Sequence, residues 1–85
     1  MDFFLKPERI VVEVKKTRDT LRDGDVGDQL NIDIERYAQR PDCETLVCFV
    51  FDPDRLLDNP RGLEQDLSGL RGIIEVVVLV SPSSM

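Results

Sequence analysis

The stretch "IVVEVKKTR" at residues 10–18 is the most informative part of the chain, because it combines a strand pattern with charges that a buried strand normally lacks. Its β-branched residues favour a strand, yet Glu13 and Lys15 interrupt the run two residues apart. Side chains alternate between the two faces of a strand, so Glu13 and Lys15 project to one face and Lys16 to the other. The spacing places Glu13 and Lys15 about 7 Å apart along the strand. The pattern therefore predicts a strand that carries a carboxylate and an ammonium to one place on a sheet.

The segments around this strand predict an α/β fold, a mixed β-sheet with flanking helices in ββαβαβ order. "DFFL" precedes the strand and forms a hairpin with it across the short break "KPE". Two nearly continuous apolar runs, "TLVCFVF" and "GIIEVVVLV", are typical of strands that are covered on both faces. The predicted strands lie at 2–5, 10–16, 45–51 and 72–80, and the predicted helices at 26–39 and 60–69.

The two predicted helices have recognisable starting residues and apolar faces. Asp25 is the expected N-cap of the first helix, and Asn59 precedes a proline at the first position of the second. In the second helix Leu63, Leu67 and Leu70 are expected to face inward. The helices and strands form one predicted domain at residues 1–80, followed by a disordered tail at residues 81–85.

Several polar groups of the sequence have simpler structural interpretations. The polar stripe on the first helix is expected to be a solvated face with intrahelical pairs. The "FDPD" sequence is interpreted as turn chemistry rather than a metal cluster. The stripe consists of Gln29, Asp33, Arg36 and Arg40.

Composition excludes several classes of site. The 85 residues contain no histidine, which removes Ser-His-Asp and Cys-His catalysis and a zinc site built from thiolate and imidazole. The two cysteines, Cys43 and Cys48, are expected to be reduced and structural. Without a signal peptide or an apolar run of membrane-spanning length, the expected location is cytoplasmic, with no membrane partner.

Charge is distributed unevenly along the chain. The net charge of −6 divides into +2 over residues 1–22 and −8 over residues 23–85. An acidic total argues against non-specific binding to nucleic acid, so any polyanion-binding surface is expected in the N-terminal third.

The predicted hairpin brings a second carboxylate toward Glu13. Asp2 begins the neighbouring strand and is expected to reach the same end of the sheet. Two converging carboxylates repel unless a cation joins them, and such oxygen ligands suit Mg²⁺. An ammonium beside the metal, here from Lys15, can stabilise charge on a phosphoryl oxygen.

Asp2, ten intervening residues and then Glu13-Val14-Lys15 resemble the signature of the PD-(D/E)xK nuclease superfamily, the restriction-endonuclease-like fold. The segments "IVVEVKKTR", "GDQLNIDIERYAQRPDCETLVCFVFDPD" and "NPRGLEQDLSG" are similar to its catalytic region, so the resemblance covers nearly the whole chain. It implies a Mg²⁺-dependent nuclease acting on DNA in bacterial defence. Asp2 and Glu13 would ligate Mg²⁺ with the carbonyl of Val14 nearby, Lys15 would assist the attacking water, and Gln29 would be a further polar residue of the site.

Relatives have a helix upstream of the catalytic aspartate, and here Asp2 is the second residue. The resemblance therefore implies a core lacking its N-terminal helix: either a fragment of a longer protein or a chain completed by a partner. Uncovered apolar surface predicts a homodimer or higher oligomer. An alternative function also remains open, a catalytically inactive nuclease-like scaffold that acts as a dimerisation or protein-interaction module.

Overall fold

The computed structural model describes residues 2–18 and 23–82, with the side chains of Asp2 and Asp23 outside that description. The described residues form a mixed α/β fold of five strands and two helices, which confirms the predicted fold class. The elements are β1 (Asp2–Leu5), β2 (Ile10–Lys16), α1 (Asp23–Ala38), β3 (Thr45–Phe51), α2 (Pro60–Leu67), β4 (Gly69–Arg71) and β5 (Ile74–Ser81).

The sheet has the strand order β1-β2-β3-β5-β4. The predicted hairpin is confirmed, since β1 pairs antiparallel with β2 and aligns Asp2 with Glu13. β2, β3 and β5 are parallel to one another, and β4 returns antiparallel along β5. Parallel neighbours need crossover connections, and α1 and α2 supply them. The strand with the paired charges is therefore internal to the sheet.

One face of the sheet packs against both helices and forms the core. Side chains of β2, β3 and β5 on this covered face meet the apolar side of α1, where Val26, Leu30 and Ile34 are buried as their spacing predicts. Cys43 and Cys48 are both free and buried in this core, as expected for structural thiols. Neither described helix is long and apolar enough to cross a membrane.

The expectation that β3 is covered on both faces is wrong for the described part of the chain. Its residues alternate between buried and partly exposed, because α1 and α2 both cross the same side of the sheet. The opposite side, here called the open face, carries eleven apolar side chains among the described residues, none of them buried. These are Phe3, Leu5, Ile10, Val12, Val14, Val47, Phe49, Phe51, Leu70, Val77 and Leu79.

Some boundaries differ from the predicted ones. α1 already includes Asp23, so Asp25 lies within its first turn and is not the N-cap. A short strand, β4, follows α2 where the sequence predicted the end of the helix, and this puts Leu70 on an edge strand with 78% exposure instead of in the core. β5 extends through Ser81, and residues 83–85 of the predicted tail lie outside the described residues.

The start of α2 agrees with the sequence. Asn59 is its N-cap, Pro60 stands in its first turn, and the Asn59 side chain accepts a hydrogen bond from the Gly62 N–H at 3.0 Å. A proline is tolerated there because its missing N–H would have had no partner in the helix.

Candidate active site

A cleft of about 520 Å³ opens at the carboxyl end of β2, beside α1. Three of its lining side chains are cationic and one is a carboxylate, so its walls favour an anionic ligand. It is lined by Glu13, Val14, Lys15, Lys16, Thr17, Arg18 and Gln29.

Glu13 and Lys15 both project to the covered face, as strand alternation predicts. Glu13 is only 6% exposed, and its Oε1 lies 3.6 Å from the Lys15 Nζ. In the parallel register Glu13 is next to Cys48 of β3, so the carboxylate borders the apolar core. A charge in such a position needs a partner, and Lys15 provides one.

Asp33 of α1 completes a cluster of three charged side chains. Its Oδ2 lies 2.8 Å from the Lys15 Nζ, and its Oδ1 accepts a hydrogen bond from Arg36 at 2.7 Å. Asp33 is 6% exposed, so the prediction that it belongs to a solvated stripe is wrong. The sequence did contain a signal: Val26, Leu30, Asp33 and Tyr37 are spaced by four, three and four residues, which puts Asp33 on the inward face of a helix.

The surroundings of Lys15 keep its side chain charged. Burial lowers the pKa of the ammonium, but the hydrogen bond and charge of Asp33, together with the charge of Glu13, raise it above its usual value. At neutral pH Lys15 is therefore an ammonium that donates hydrogen bonds and supplies positive charge, rather than a free amine that accepts a proton.

The remaining predicted site residues lie around this cluster. Gln29 is one turn before Asp33 on α1, and it lines the cleft together with Val14. The backbone of Asp2 is paired with Glu13 across the hairpin, and its side chain lies outside the described residues. Lys16 is on the other face of β2 by alternation, but at the strand end it also borders the cleft.

The wall of the cleft beyond β2 is held by a buried contact that the sequence did not indicate. The Thr17 hydroxyl donates to Asp52 Oδ1 at 2.7 Å, and both residues are buried. The same carboxylate accepts the N–H groups of Leu56 at 2.8 Å and Leu57 at 3.1 Å. The interpretation of "FDPD" as turn chemistry is confirmed for Asp52, which closes the turn and also anchors the end of β2.

The donor atoms at this site are of the type that a hard cation prefers. Asp2 and Glu13 occupy paired positions, and carboxylate and carbonyl oxygens suit Mg²⁺, which retains several waters and needs few protein ligands. Within residues 2–18 and 23–82, no group of three or more acidic, cysteine or histidine side chains is arranged to hold a metal. The donor chemistry of the Glu13 carboxylate and the Val14 carbonyl is compatible with such a cation.

In the comparison with protein families, the chain matches the model of the DpnII-MboI restriction endonucleases over residues 1–83. The comparison with curated proteins finds no significant match. The comparison with solved structures finds none either. The family match spans almost the entire chain and includes every residue of the cleft.

Proposed function

Because the chain belongs to the DpnII-MboI restriction endonuclease family, we propose that it hydrolyses phosphodiester bonds in DNA with Mg²⁺ as its cofactor. Membership makes it a DNA nuclease at the level of the family, and restriction endonucleases generally use a divalent metal ion. The observation that carries the proposal is the cleft in which Glu13 and a charged Lys15 stand side by side at the end of an internal strand.

The residues of the cleft suit distinct tasks in hydrolysis. In the proposal, Asp2 and Glu13 would hold the cation with the carbonyl of Val14, and Mg²⁺, when bound, would supply an acidified water and offset phosphoryl charge. The Lys15 ammonium donates to a phosphoryl oxygen as negative charge grows there. Gln29 offers an amide at the rim of the cleft for hydrogen bonding to substrate or water.

Metal dependence is tested first with the unmodified chain. We expect cleavage of plasmid DNA in Mg²⁺, no cleavage in EDTA, and DNA binding with little turnover in Ca²⁺, because Ca²⁺ is larger and less strict in its geometry. Cleavage that persists in EDTA would refute the proposed chemistry.

Single substitutions then separate metal binding from catalysis. Asp2→Ala and Glu13→Gln should remove measurable Mn²⁺ affinity in calorimetry. Lys15→Ala should keep that affinity and lower kcat by about two to three orders of magnitude, the scale for losing one transition-state donor. Lys6→Ala, an exposed lysine in the β1–β2 turn, is the matched control and should cleave normally.

The same experiments distinguish the nuclease from the alternative function. An inactive nuclease-like scaffold would show neither metal affinity nor any effect of Glu13→Gln. If the purified chain also fails to cleave DNA in Mg²⁺ and Mn²⁺, the scaffold function replaces the nuclease.

We also propose that the chain self-associates through the open face, with a second copy as the partner. The four neighbouring strands β1, β2, β3 and β5 have four, seven, seven and eight residues, and together they span roughly 21 by 19 Å, or about 400 Å² before pleating is counted. Two facing copies would bury on the order of 1,000 Å², the lower limit for a specific interface, so a dimer in the micromolar range is expected.

Charge at the corners of the open face supports a two-fold arrangement. Lys16 ends β2 and Glu75 lies near the start of β5, both exposed and both on the side of the open face. A two-fold axis that exchanges these opposite corners sets each Lys16 beside Glu75 of the second copy. Like charges would not meet in that arrangement.

Sedimentation velocity between about 1 and 200 μM tests this interface across the expected affinity range. Leu79→Asp, at a residue of the open face that is 46% exposed, should give a monomer, whereas Ile32→Asp on the outer side of α1 should not. Lys16→Glu should weaken the dimer, and adding Glu75→Lys should restore it. A wild-type monomer at every concentration, or a dimer indifferent to Leu79→Asp, would exclude this interface.

We extend the nuclease proposal to a cytoplasmic role in bacterial defence, for which the restriction endonuclease family is the support. A susceptible phage should form fewer plaques on cells that express the chain than on cells that express its Glu13→Gln variant. Equal plating of the two strains would contradict the defence role.

A further inference from the structure

The Lys15 ammonium is closer to Asp33 than to Glu13. Its Nζ lies 2.8 Å from Asp33 Oδ2 and 3.6 Å from Glu13 Oε1. Asp33 is itself restrained, because its other oxygen accepts a hydrogen bond from Arg36 one turn later on α1. The shortest contact of Lys15 thus reaches across from the strand to a fixed carboxylate on the helix.

The contact between Lys15 and Asp33 matters most when a metal ion is bound at Glu13. A carboxylate that ligates a cation shares its negative charge with that cation and attracts a nearby ammonium less. If Glu13 is a metal ligand, Asp33 is the anion that still holds Lys15. The flexible four-carbon stem of lysine otherwise leaves its ammonium free to turn toward solvent.

The cluster of Glu13, Lys15 and Asp33 is not explained by its contribution to folding stability alone. Desolvating two charges offsets most of their mutual attraction, and apolar replacements of buried ion pairs are often neutral or stabilising. On the covered face around the cluster, Val11, Cys48 and Leu30 are all buried. The cluster lies where that apolar core meets the cleft, and Lys15 itself lines the cleft.

We propose that Asp33 is a positioning residue, which holds the Lys15 ammonium in the cleft while Glu13 engages the metal. This inference rests on the proposed nuclease function for its catalytic consequence. The placement of Lys15 by Asp33 is a property of the protein alone and is measurable without any turnover.

Lysine reactivity measures that placement directly. The chain contains three lysines, Lys6, Lys15 and Lys16, and the exposed Lys6, outside the cleft and the open face, is the internal reference. In brief acetylation with acetic anhydride followed by peptide mass spectrometry, Lys15 should react several-fold more slowly than Lys6. Asp33→Asn should accelerate Lys15 alone, and Asp33→Glu, which retains a carboxylate, should reverse much of that acceleration.

The matched control removes the same charge from the same helix. Glu35 is exposed on α1, so Glu35→Gln should leave the reactivity of Lys15 unchanged. Acetylation of Lys15 as fast as Lys6 in the wild type would overturn the proposal even if Asp33→Asn failed to fold. An unchanged Lys15 rate in a folded Asp33→Asn protein would also overturn it.

Steady-state kinetics then test the catalytic consequence. Asp33→Asn should lower kcat about a hundredfold, the scale for displacing a reacting group by about 1 Å, with KM for DNA and affinity for Mn²⁺ nearly unchanged. Asp33→Glu should recover part of kcat, and Glu35→Gln should match the wild type. A change in KM or metal affinity equal to that in kcat would mean that Asp33 is only structural.

The two proposals fail in different ways. A wild-type chain that does not cleave DNA refutes the proposed function, while the acetylation rates still report whether Asp33 holds Lys15. A wild type that cleaves, together with an equally active Asp33→Asn, refutes the positioning role alone.

Discussion

Replacing Asp52 with alanine should lower the free energy of unfolding by about 3–5 kcal/mol, because three donors lose a charged acceptor. Leu57 N–H is buried, and the substitution leaves it without its 3.1 Å partner. The Thr17 hydroxyl loses a 2.7 Å bond and retains only the Phe51 carbonyl oxygen at 3.5 Å. Leu56 N–H, partly buried, loses a 2.8 Å bond that water can partly replace.

The assay is urea unfolding at neutral pH, followed by far-ultraviolet circular dichroism. Asp54→Ala removes an exposed carboxylate from the same turn and is expected to change stability by less than about 0.5 kcal/mol. Asp52→Asn tests geometry as well as charge. If the asparagine keeps its oxygen toward the Thr17 hydroxyl, its NH₂ group takes the place of the oxygen that accepts from the Leu57 N–H, and two donors then face each other. Adding Thr17→Val to Asp52→Ala should cost less than the sum of the two single changes, since they remove one shared bond.

The effect of Asp52 also depends on pH. Burial raises the pKa of its carboxyl, but the hydrogen bonds from Thr17, Leu56 and Leu57 outweigh burial and leave the pKa below its usual value. A lowered folded pKa stabilises the protein above the pKa of the unfolded chain, about 3.9, and this stabilisation is lost as pH falls through the folded value. The stability gap between wild type and Asp52→Ala should therefore be full at neutral pH and shrink in acid. A loss below about 1 kcal/mol, or a gap that does not change with pH, would refute this account.

Three further predictions concern packing, capping and thiol chemistry. Leu30→Ala, at a fully buried side chain of α1, should lower the free energy of unfolding in urea by about 2–5 kcal/mol. Ile32→Ala, at a 63% exposed position, should change it little, and equal losses for the two variants would contradict the assigned core. A Cβ at Gly62 would overlap the side-chain amide nitrogen of Asn59, so Gly62→Ala should displace the N-cap and cost about 1 kcal/mol. In an Asn59→Ala background the same change should instead stabilise α2 through helix propensity, and a cost there would show that the cap is not the cause. Burial raises the pKa of the Cys48 thiol to about 12, so iodoacetamide at mildly alkaline pH should label it only after unfolding, and rapid labelling of the native chain would argue against its burial.

The strands and their facing residues could be predicted because they depend on neighbours in sequence. Alternation alone places Glu13 and Lys15 on one face of β2, and the structure confirms that they meet within 3.6 Å. The register that pairs Asp2 with Glu13 follows from the length of the intervening turn. These features involve residues a few positions apart, so local geometry is sufficient to specify them.

Other features needed information that a local pattern does not contain. Leu70 continues the helical spacing of α2, yet it lies on β4, because Gly69 adopts a left-handed backbone with φ of +127° and the chain turns into an edge strand. Two apolar runs that suggested full burial in fact border the open face. Whether helices cover one or both sides of a sheet depends on strand order, and no single segment encodes that order.

The mixed α/β sheet, the charged strand within it and the cleft residues on that strand follow from patterns local to the sequence. Helical spacing also places Asp33 on the inward face of α1, but it does not specify which strand residue that carboxylate meets. The contact with Lys15 required the tertiary packing of Leu30 and Ile34 against the sheet, which also leaves Gln29 at the rim of the cleft. Tertiary structure likewise brought Asp52 to Thr17 across 35 residues of chain. A carboxylate acquires its role from the charges and donors that surround it, and distant segments supply those only after the chain has folded.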